Sequence, residues 1–492
     1  MFKKILIANR GEIAVRLIRA CQELGIVTAA VYQPADITSL HVRLADECYP
    51  LQTPPARPDP NEHVRLALEI GADAIHPGYG FLAERADFVS MCDEANVRFI
   101  GPDFASLERT TQKVSMLKQA RAAGFPTVQF SDSDFDSRDV ESIRQAAEEI
   151  GYPIVVRASI GGRGRGTVLV RRPESLDASV RRARAEAMVV YGNSRLYLEK
   201  ALNPVLHLDV QVLADAFGNI IHLGERCSSL EQHSQKLIAE SPAPCIDDEQ
   251  RQRLLAMAVE IARLFGYRSS GSVEFVLDRE GQILFSDFKP RIQVQHSVSE
   301  EVTGIDIVQA QIRLAAGEPL PWRQEDIRFS GSAMQVRLNA QDPWNNYLPS
   351  PGHLRRFRLA SGPGVRVETY AQTGSDISVH FDPILAKLIV WSEDRAGVIA
   401  RMQRALSEFV IQGIPTNVPL LQGILHHPSF IAGDYSIDYF YQTNLNQPVS
   451  DRAMRDLAVA AAVAYLRRTE ALQPVLPPRL QSGWHRSSRQ IS

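Results

Sequence analysis

The first thirty-odd residues narrow the possible folds more than any other stretch. KKILIANRGEIAVRLIRACQELGIVTAAVY, residues 3–32, reads as a buried strand, a turn at Asn9–Gly11, a helix with Ile13, Leu17, Cys21 and Leu24 recurring on its apolar faces, and a second strand. Strand, helix and strand in that order make a βαβ unit, and such units build parallel sheets. ADAIHPGYGFL and VRFIGP repeat the pattern. The first turn lacks GxGxxG, which argues against a dinucleotide site.

Residues 1–112 are therefore expected to form a Rossmann-like module. The pattern then changes. A helix, QKVSMLKQARAAG, precedes YPIVVRASIGGRGRGTVLV, in which two strands flank a glycine-rich loop with Gly161, Gly162, Gly164 and Gly166. Such a loop is either an ordinary hairpin or a turn whose backbone N–H groups close over phosphate, with Arg163 and Arg165 adding charge. From about residue 203 the strands HLDVQVLAD, IIHLGER, SVEFVLD, QILFSDF and SAMQVRLNAQ predict an antiparallel-rich unit. DFKPRIQVQH, residues 287–296, reads as one more strand, with Arg291, Gln293 and Gln295 on one face. Past residue 450, MRDLAVAAAVAYLRR predicts a helix, and the proline-rich basic stretch after it a flexible tail.

At 492 residues the chain is too long for a single core. Its net charge of -3 gives no reason to expect nucleic acid or an anionic membrane as partner. With no apolar run of membrane-spanning length and no signal-peptide core, it is expected in the cytoplasm. Cys21, Cys48, Cys92, Cys227 and Cys245 are scattered singly, so neither zinc nor a disulfide framework is indicated.

IANRGEIA, HPGYGFL, YPIVVRAS, HLDVQVLAD, SPAP, RIQVQH, NAQDP, LPSPG and GIPTN, in this order over residues 1–450, resemble the biotin carboxylase family of ATP-grasp enzymes. The resemblance implies an α/β and α+β ATP-grasp fold. Its parts would be an N-terminal Rossmann-like domain (1–112), a small mobile central lid (113–202), a C-terminal antiparallel-sheet domain (203–450) and a helix with a basic tail (451–492). It implies that ATP phosphorylates bicarbonate and that carboxyphosphate supplies CO2 to biotin. The biotin would ride on a biotin carboxyl carrier protein, with carboxyltransferase subunits also on separate chains, because no MKM sequence is present. It further implies a homodimer, or a heteromer with a paralogue.

Carried over position by position, the resemblance implies nucleotide contacts at Lys113, Arg157, Gly162, Gly164, Glu199, Lys200, Leu202, His207 and Ile437. His207 is read either as a ribose neighbour or as a core histidine. Lys236, Arg291, Gln293, Val294 and Arg337 match positions that grip bicarbonate and the biotin ureido oxygen, with Lys236, Arg291, Gln295 and Arg337 at catalytic places. Several positions depart from the family. Arg157 replaces a lysine. Glu274 and Asp287 remain for magnesium, but Lys289 replaces an asparagine and offers no acceptor atom to a metal; its ammonium either takes a cation site and pairs with Glu274, Asp287 or a phosphate, or swings into solvent. Gln295 replaces the glutamate that accepts the bicarbonate proton, and an amide does not titrate near neutral pH. Glu231, Gln232, His233 and Ser234 also differ from the pattern, and Cys227 sits beside them as a small buried residue.

Three readings follow. The first is a degenerate biotin carboxylase with a structural or regulatory role. The second is an active biotin carboxylase subunit of an acyl-CoA carboxylase. The third is an ATP-grasp ligase for another carboxylate, which would be expected to keep its metal and phosphate groups while remodelling the acceptor pocket.

Overall fold

The N-terminal βαβ unit forms as its pattern requires. Strands Lys4–Ile7 and Val27–Tyr32 pair in parallel around helix Gly11–Glu23, whose apolar face is buried. Gly11 opens that helix at φ +69°, a conformation L side chains avoid, so the tight turn after the first strand needs glycine. Five parallel strands complete this sheet in the spatial order Glu47–Pro50, Val27–Tyr32, Lys4–Ile7, Ala74–His76 and Arg98–Phe99.

The computed structural model describes residues 1–53, 58–136, 138–161, 166–202, 205–232, 235–443 and 451–471. Two units divide the chain, residues 1–445 and 446–492. In the second, Asp451–Ala471 is helical, as its sequence predicts. Gly162, Gly164, Arg163, Arg165, His233, Ser234 and the tail beyond 471 lie outside the described residues. No helix among the described residues is long and apolar enough to cross a membrane.

Within the first unit, a three-stranded sheet orders Val168–Val170, Ile154–Ala158 and Leu196–Lys200. Ile154, Val156 and Ala158 alternate onto its covered face, where Leu196 and Leu198 join them against helices Val140–Ile150 and Leu176–Tyr191. The same alternation turns Arg157 and Glu199 to the opposite face.

The largest sheet has eight strands, in the spatial order Ile283–Lys289, Ser269–Leu277, Leu206–Ala214, Ile220–Gln232, Gln235–Ser241, Ser332–Asn339, Ile384–Ser392 and Val365–Thr369. All its neighbours pair antiparallel.

One expectation fails here. DFKPRIQVQH is not a strand throughout: the strand stops at Lys289, and Gln295 is the N-cap of helix His296–Thr303. Pro290 has no N–H to continue the ladder. Ile292 turns into the core, while His296 N and Val298 N bond back to Gln293 O and Gln295 O. Gln293 and Gln295 are placed by a helix start rather than by a pleat.

Candidate active site

The parallel sheet, the small sheet and the eight-stranded sheet enclose a cleft of about 880 Å³. Lys113, Arg157, His207, Lys236, Glu274, Asp287, Lys289, Arg291, Gln293, Val294, Gln295 and Arg337 all line it. Its floor is set by register. Glu274 stands directly across the ladder from Asp287 on one side and from Asp209 on the other, so three carboxylates share one rank and one face. Like charges so opposed repel, and the rank holds only with cations between its members.

Four cations interleave with the three carboxylates. Lys113 pairs with Asp287 Oδ1. The Lys289 ammonium lies 2.5 Å from Asp287 Oδ2 and 3.6 Å from Glu274 Oε2. Lys236 Nζ lies 2.8 Å from Glu274 Oε1 and 3.3 Å from Asp209 Oδ2. Arg226 closes the run, its Nε donating to Asp209 Oδ1 at 2.6 Å.

Two amides are wired into the same run. Gln293 Nε2 donates to Glu274 Oε1 at 2.8 Å, and Gln295 Nε2 donates to Gln293 Oε1 at 3.0 Å and to Asp209 Oδ2 at 3.3 Å. Arg226 Nη2 also donates to Gln293 Oε1, at 3.0 Å. The side chain at 295 thus faces two acceptors and serves as a donor, which an amide does and a carboxylate does not.

The charge states follow. Burial opposes ionisation of Asp287, Glu274 and Asp209, but Lys113 and Lys289, Lys236 and Lys289, and Arg226 and Lys236 respectively outweigh it and hold each carboxyl below its ordinary range. Burial likewise opposes the Lys289 ammonium, and Asp287 with Glu274 raises its pKa regardless. Lys236 is raised in the same way by Glu274 and Asp209. For Lys113, burial prevails over Asp287 and lowers its pKa.

Magnesium demands oxygen ligands in a near-octahedral shell at about 2.0–2.1 Å. The ammonium of Lys289 spans Asp287 and Glu274, the two carboxylates such an ion would bridge, and supplies no acceptor. These residues do not fit a bridging magnesium ion.

Around this run, the remaining predicted residues among those described take the following places; Gly162 and Gly164 lie outside them. Arg157 donates to Glu199 Oε2 at 2.8 Å, while Tyr197 Oη donates to Glu199 Oε1 at 2.6 Å. Lys200 bonds the carbonyls of Gly151 and Tyr152. Leu202 and Ile437 come together in an apolar cluster with Val128, Val205, Val276 and Leu284. His207 is not a core histidine: its ring is 29% exposed, and Nδ1 lies 3.6 Å from Glu231 Oε2. Arg291 and Lys236 line the cleft, but both already hold carboxylates, Arg291 through Glu84 at 2.7 Å. Val294 contributes its carbonyl to Lys387. Arg337 differs, since its buried Nε has no hydrogen-bond partner among the described residues.

Sequence reasoning missed Asp209, Arg226, Glu84, Tyr197 and Glu12. Asp209 had a signal, a charge alternating with Leu208 and Val210 in an otherwise apolar strand. Glu12 accepts from Tyr79 and lines the cleft. Burial, then Glu368 and Asp382 against the partial relief of Lys387, push its carboxyl up to about 7.

A parallel-sheet domain, a small lid-like sheet and an antiparallel sheet carrying charged residues across a common cleft define an ATP-grasp protein. Three family descriptions match in turn: biotin carboxylase, N-terminal domain, at residues 1–107; carbamoyl-phosphate synthase L chain, ATP binding domain, at 112–323; and biotin carboxylase C-terminal domain, at 335–442. The chain belongs to the biotin carboxylase family. It is 43% identical to biotin carboxylase 1 of Bacillus subtilis over 443 residues, 89% of this chain and 98% of that one. It is likewise 43% identical to the 2-oxoglutarate carboxylase small subunit of Hydrogenobacter thermophilus over 441 residues, 89% of this chain and 93% of that one. The crystal structure of the biotin carboxylase domain dimer of the Hydrogenobacter thermophilus 2-oxoglutarate carboxylase, in complex with MgADP, ADP and bicarbonate, superposes with a TM-score of 0.88 at 41% identity, covering 92% of this chain and all of that one.

Proposed function

We propose that this chain binds an adenine nucleotide in the cleft without a divalent ion, and that ATP- and bicarbonate-dependent carboxylation of biotin is lost or residual. Its role is then structural or regulatory, in a homodimer or beside an active paralogue, with carrier and carboxyltransferase chains as partners. The observation that carries this reading is Lys289 Nζ between Asp287 and Glu274. A fixed ammonium there balances the carboxylate rank, so metal is not needed to assemble the site. Gln295 adds to it, because the amide donates into the run and accepts no proton from a bicarbonate hydroxyl. Leu202 and Ile437 supply the apolar side of the adenine place. The domain divisions at 112, 202 and 450 are part of the same reading, supported by the separate small sheet between the two larger ones.

A second reading, an active biotin carboxylase subunit, is favoured by one observation: Lys113, Lys236, Arg291 and Arg337 all reach the same cleft. Loss of a general base removes about 10²–10⁴ in rate, not all activity. Calorimetric titration with ATP, with and without magnesium, separates the two when paired with bicarbonate-dependent phosphate release. The first reading expects similar affinity in both titrations and negligible release. A large gain in affinity with magnesium, together with turnover of roughly 1–10³ s⁻¹, establishes the second.

A further inference from the structure

Cys227 and Cys245, 18 positions apart in the chain, meet in space with Cys245 Sγ donating to Cys227 Sγ at 3.9 Å. Cys227 belongs to strand Ile220–Gln232, opposite Glu240 of Gln235–Ser241, where the register breaks between Cys227 and Leu230. Cys245 lies in the segment joining that second strand to helix Asp248–Leu264. The shift leaves Ser228 and Ser229 off that ladder, while Cys227 itself pairs with Glu240 on one side and Leu208 on the other, so closure rests on the side chains. Sulfurs in a disulfide stand about 2.05 Å apart, so the closing movement is roughly 2 Å, within reach of side-chain rotation.

The surroundings favour that chemistry. Cys227 is 1% exposed, and Cys245 is half-buried. The hydrogen bond from Cys245, aided by Ser229 at 3.2 Å, holds the Cys227 thiol below its ordinary pKa despite burial and Glu240. The same bond, with burial, keeps the proton on Cys245. Cys227 is therefore the readier nucleophile, beside the half-buried Cys245.

We propose that Cys227 and Cys245 are a redox modification site, closed to a disulfide by hydrogen peroxide and reopened by a dithiol. In the first step Cys227 Sγ attacks a peroxide oxygen. The O–O bond breaks, one water leaves with the thiol proton, and Cys227 carries S–OH. Cys245 Sγ then attacks that sulfur, the S–O bond breaks, and a second water leaves with the Cys245 proton. Two electrons pass from the thiols to the peroxide, which becomes two waters. A dithiol reverses the change, its own sulfurs joining as the protein's S–S bond breaks. The strand so pinned also carries Arg226 and Ser228, both bonded to Asp209, so oxidation fixes one end of the charged run. This inference does not depend on which nucleotide reading holds.

The test treats the full chain with hydrogen peroxide, unfolds it, alkylates free thiols and maps peptides by mass spectrometry. Lys236 lies between the two cysteines, so tryptic cleavage there yields peptides that stay joined only through the disulfide. The expected result is a linked Cys227–Cys245 pair two hydrogens lighter, lost on adding dithiothreitol and absent in Cys245→Ser, with a higher thermal midpoint for oxidised than for reduced parent. Recovery of both cysteines alkylated after peroxide, or of Cys245 as sulfinic acid with no linked peptide, overturns the proposal. Cys227→Ser, alkylated at Cys245 after the same treatment, is the second expected control; a linked pair between Cys245 and another cysteine in that variant also overturns it.

Discussion

The Lys289 ammonium stands 2.5 Å from Asp287 Oδ2, at the point where Asp287 also receives Lys113 on its other oxygen. Asp287 is thus held between two lysines, and Glu274 between Lys289 and Lys236. Each carboxylate keeps one cation if Lys289 is removed. The alternating run is a chain of charges in which one cation has taken the bridging place.

Lys289→Asn leaves Asp287 and Glu274 facing each other without that bridge. The expected cost without metal is about 1–3 kcal/mol, below the 3–5 kcal/mol typical of a fully orphaned buried charge, because Lys113 and Lys236 remain. Magnesium should then raise the thermal midpoint of the variant and leave the parent unmoved. Equal responses of the two proteins to magnesium would refute the assignment of Lys289 to the cation place.

Arg157 and Glu199 make a second pair with different consequences. Glu199 is 6% exposed, whereas the Arg157 side chain is 29% exposed and so partly screened. Arg157→Met leaves Glu199 only the Tyr197 hydroxyl, at an expected cost of about 1–3 kcal/mol once screening is allowed for. Denaturant midpoints of parent and variant measure it. A change under about 0.5 kcal/mol would mean that the pair is no more than a surface contact.

Glu12 gives the stability a pH dependence. Its carboxyl is raised from 4.5 to about 7 by burial, so the folded chain keeps a proton that the unfolded chain releases. Stability from this group is present below the unfolded value and is lost as pH climbs through the folded value. Over that window the loss is at most about 3 kcal/mol. Glu12→Gln should flatten the decline and be the more stable protein at pH 8. Unfolding at several pH values checks this; parallel curves for parent and variant would count against it.

Much of the fold was legible because hydrophobic periodicity is local: the βαβ opening, the alternating strands and the Asp451–Ala471 helix all reappear. What escaped depends on contacts between distant segments. DFKPRIQVQH alternates like a strand, but Pro290 ends the ladder, and Gln295 is positioned by the helix that follows. Lys289 was readable as a lost metal ligand. Its pairing with Glu274 or Asp287 was one of the places expected for its ammonium, and that it spans both at once required the register of two strands. Asp209 was visible as a charge in an apolar strand, yet its tie to Gln295, 86 positions away, was not. Cys227 and Cys245 looked isolated because their contact forms only when the chain turns back after Gln235–Ser241.

Repair of carboxylation is the most demanding prediction. Gln295→Glu supplies a base in name, but the new carboxylate confronts Asp209 Oδ2 and Gln293 Oε1, both acceptors, where the amide had donated to each. Gln293 is not free to turn and relieve this, since Arg226 also donates to its oxygen. Glutamate there must hold a proton or repel Asp209, so the single variant should lose about 1–3 kcal/mol and gain little turnover. Lys289→Asn with Asp287→Glu should also gain little, because a metal would return without a base. Combined with Gln295→Glu and Arg157→Lys, they should yield more than the sum of the separate gains, since groups serving one transition state are non-additive. Bicarbonate-dependent phosphate release by each single and combined variant decides it. If Gln295→Glu alone reaches roughly 1–10³ s⁻¹, Lys289 does not obstruct the chemistry, and the ammonium between Asp287 and Glu274 is compatible with phosphoryl transfer.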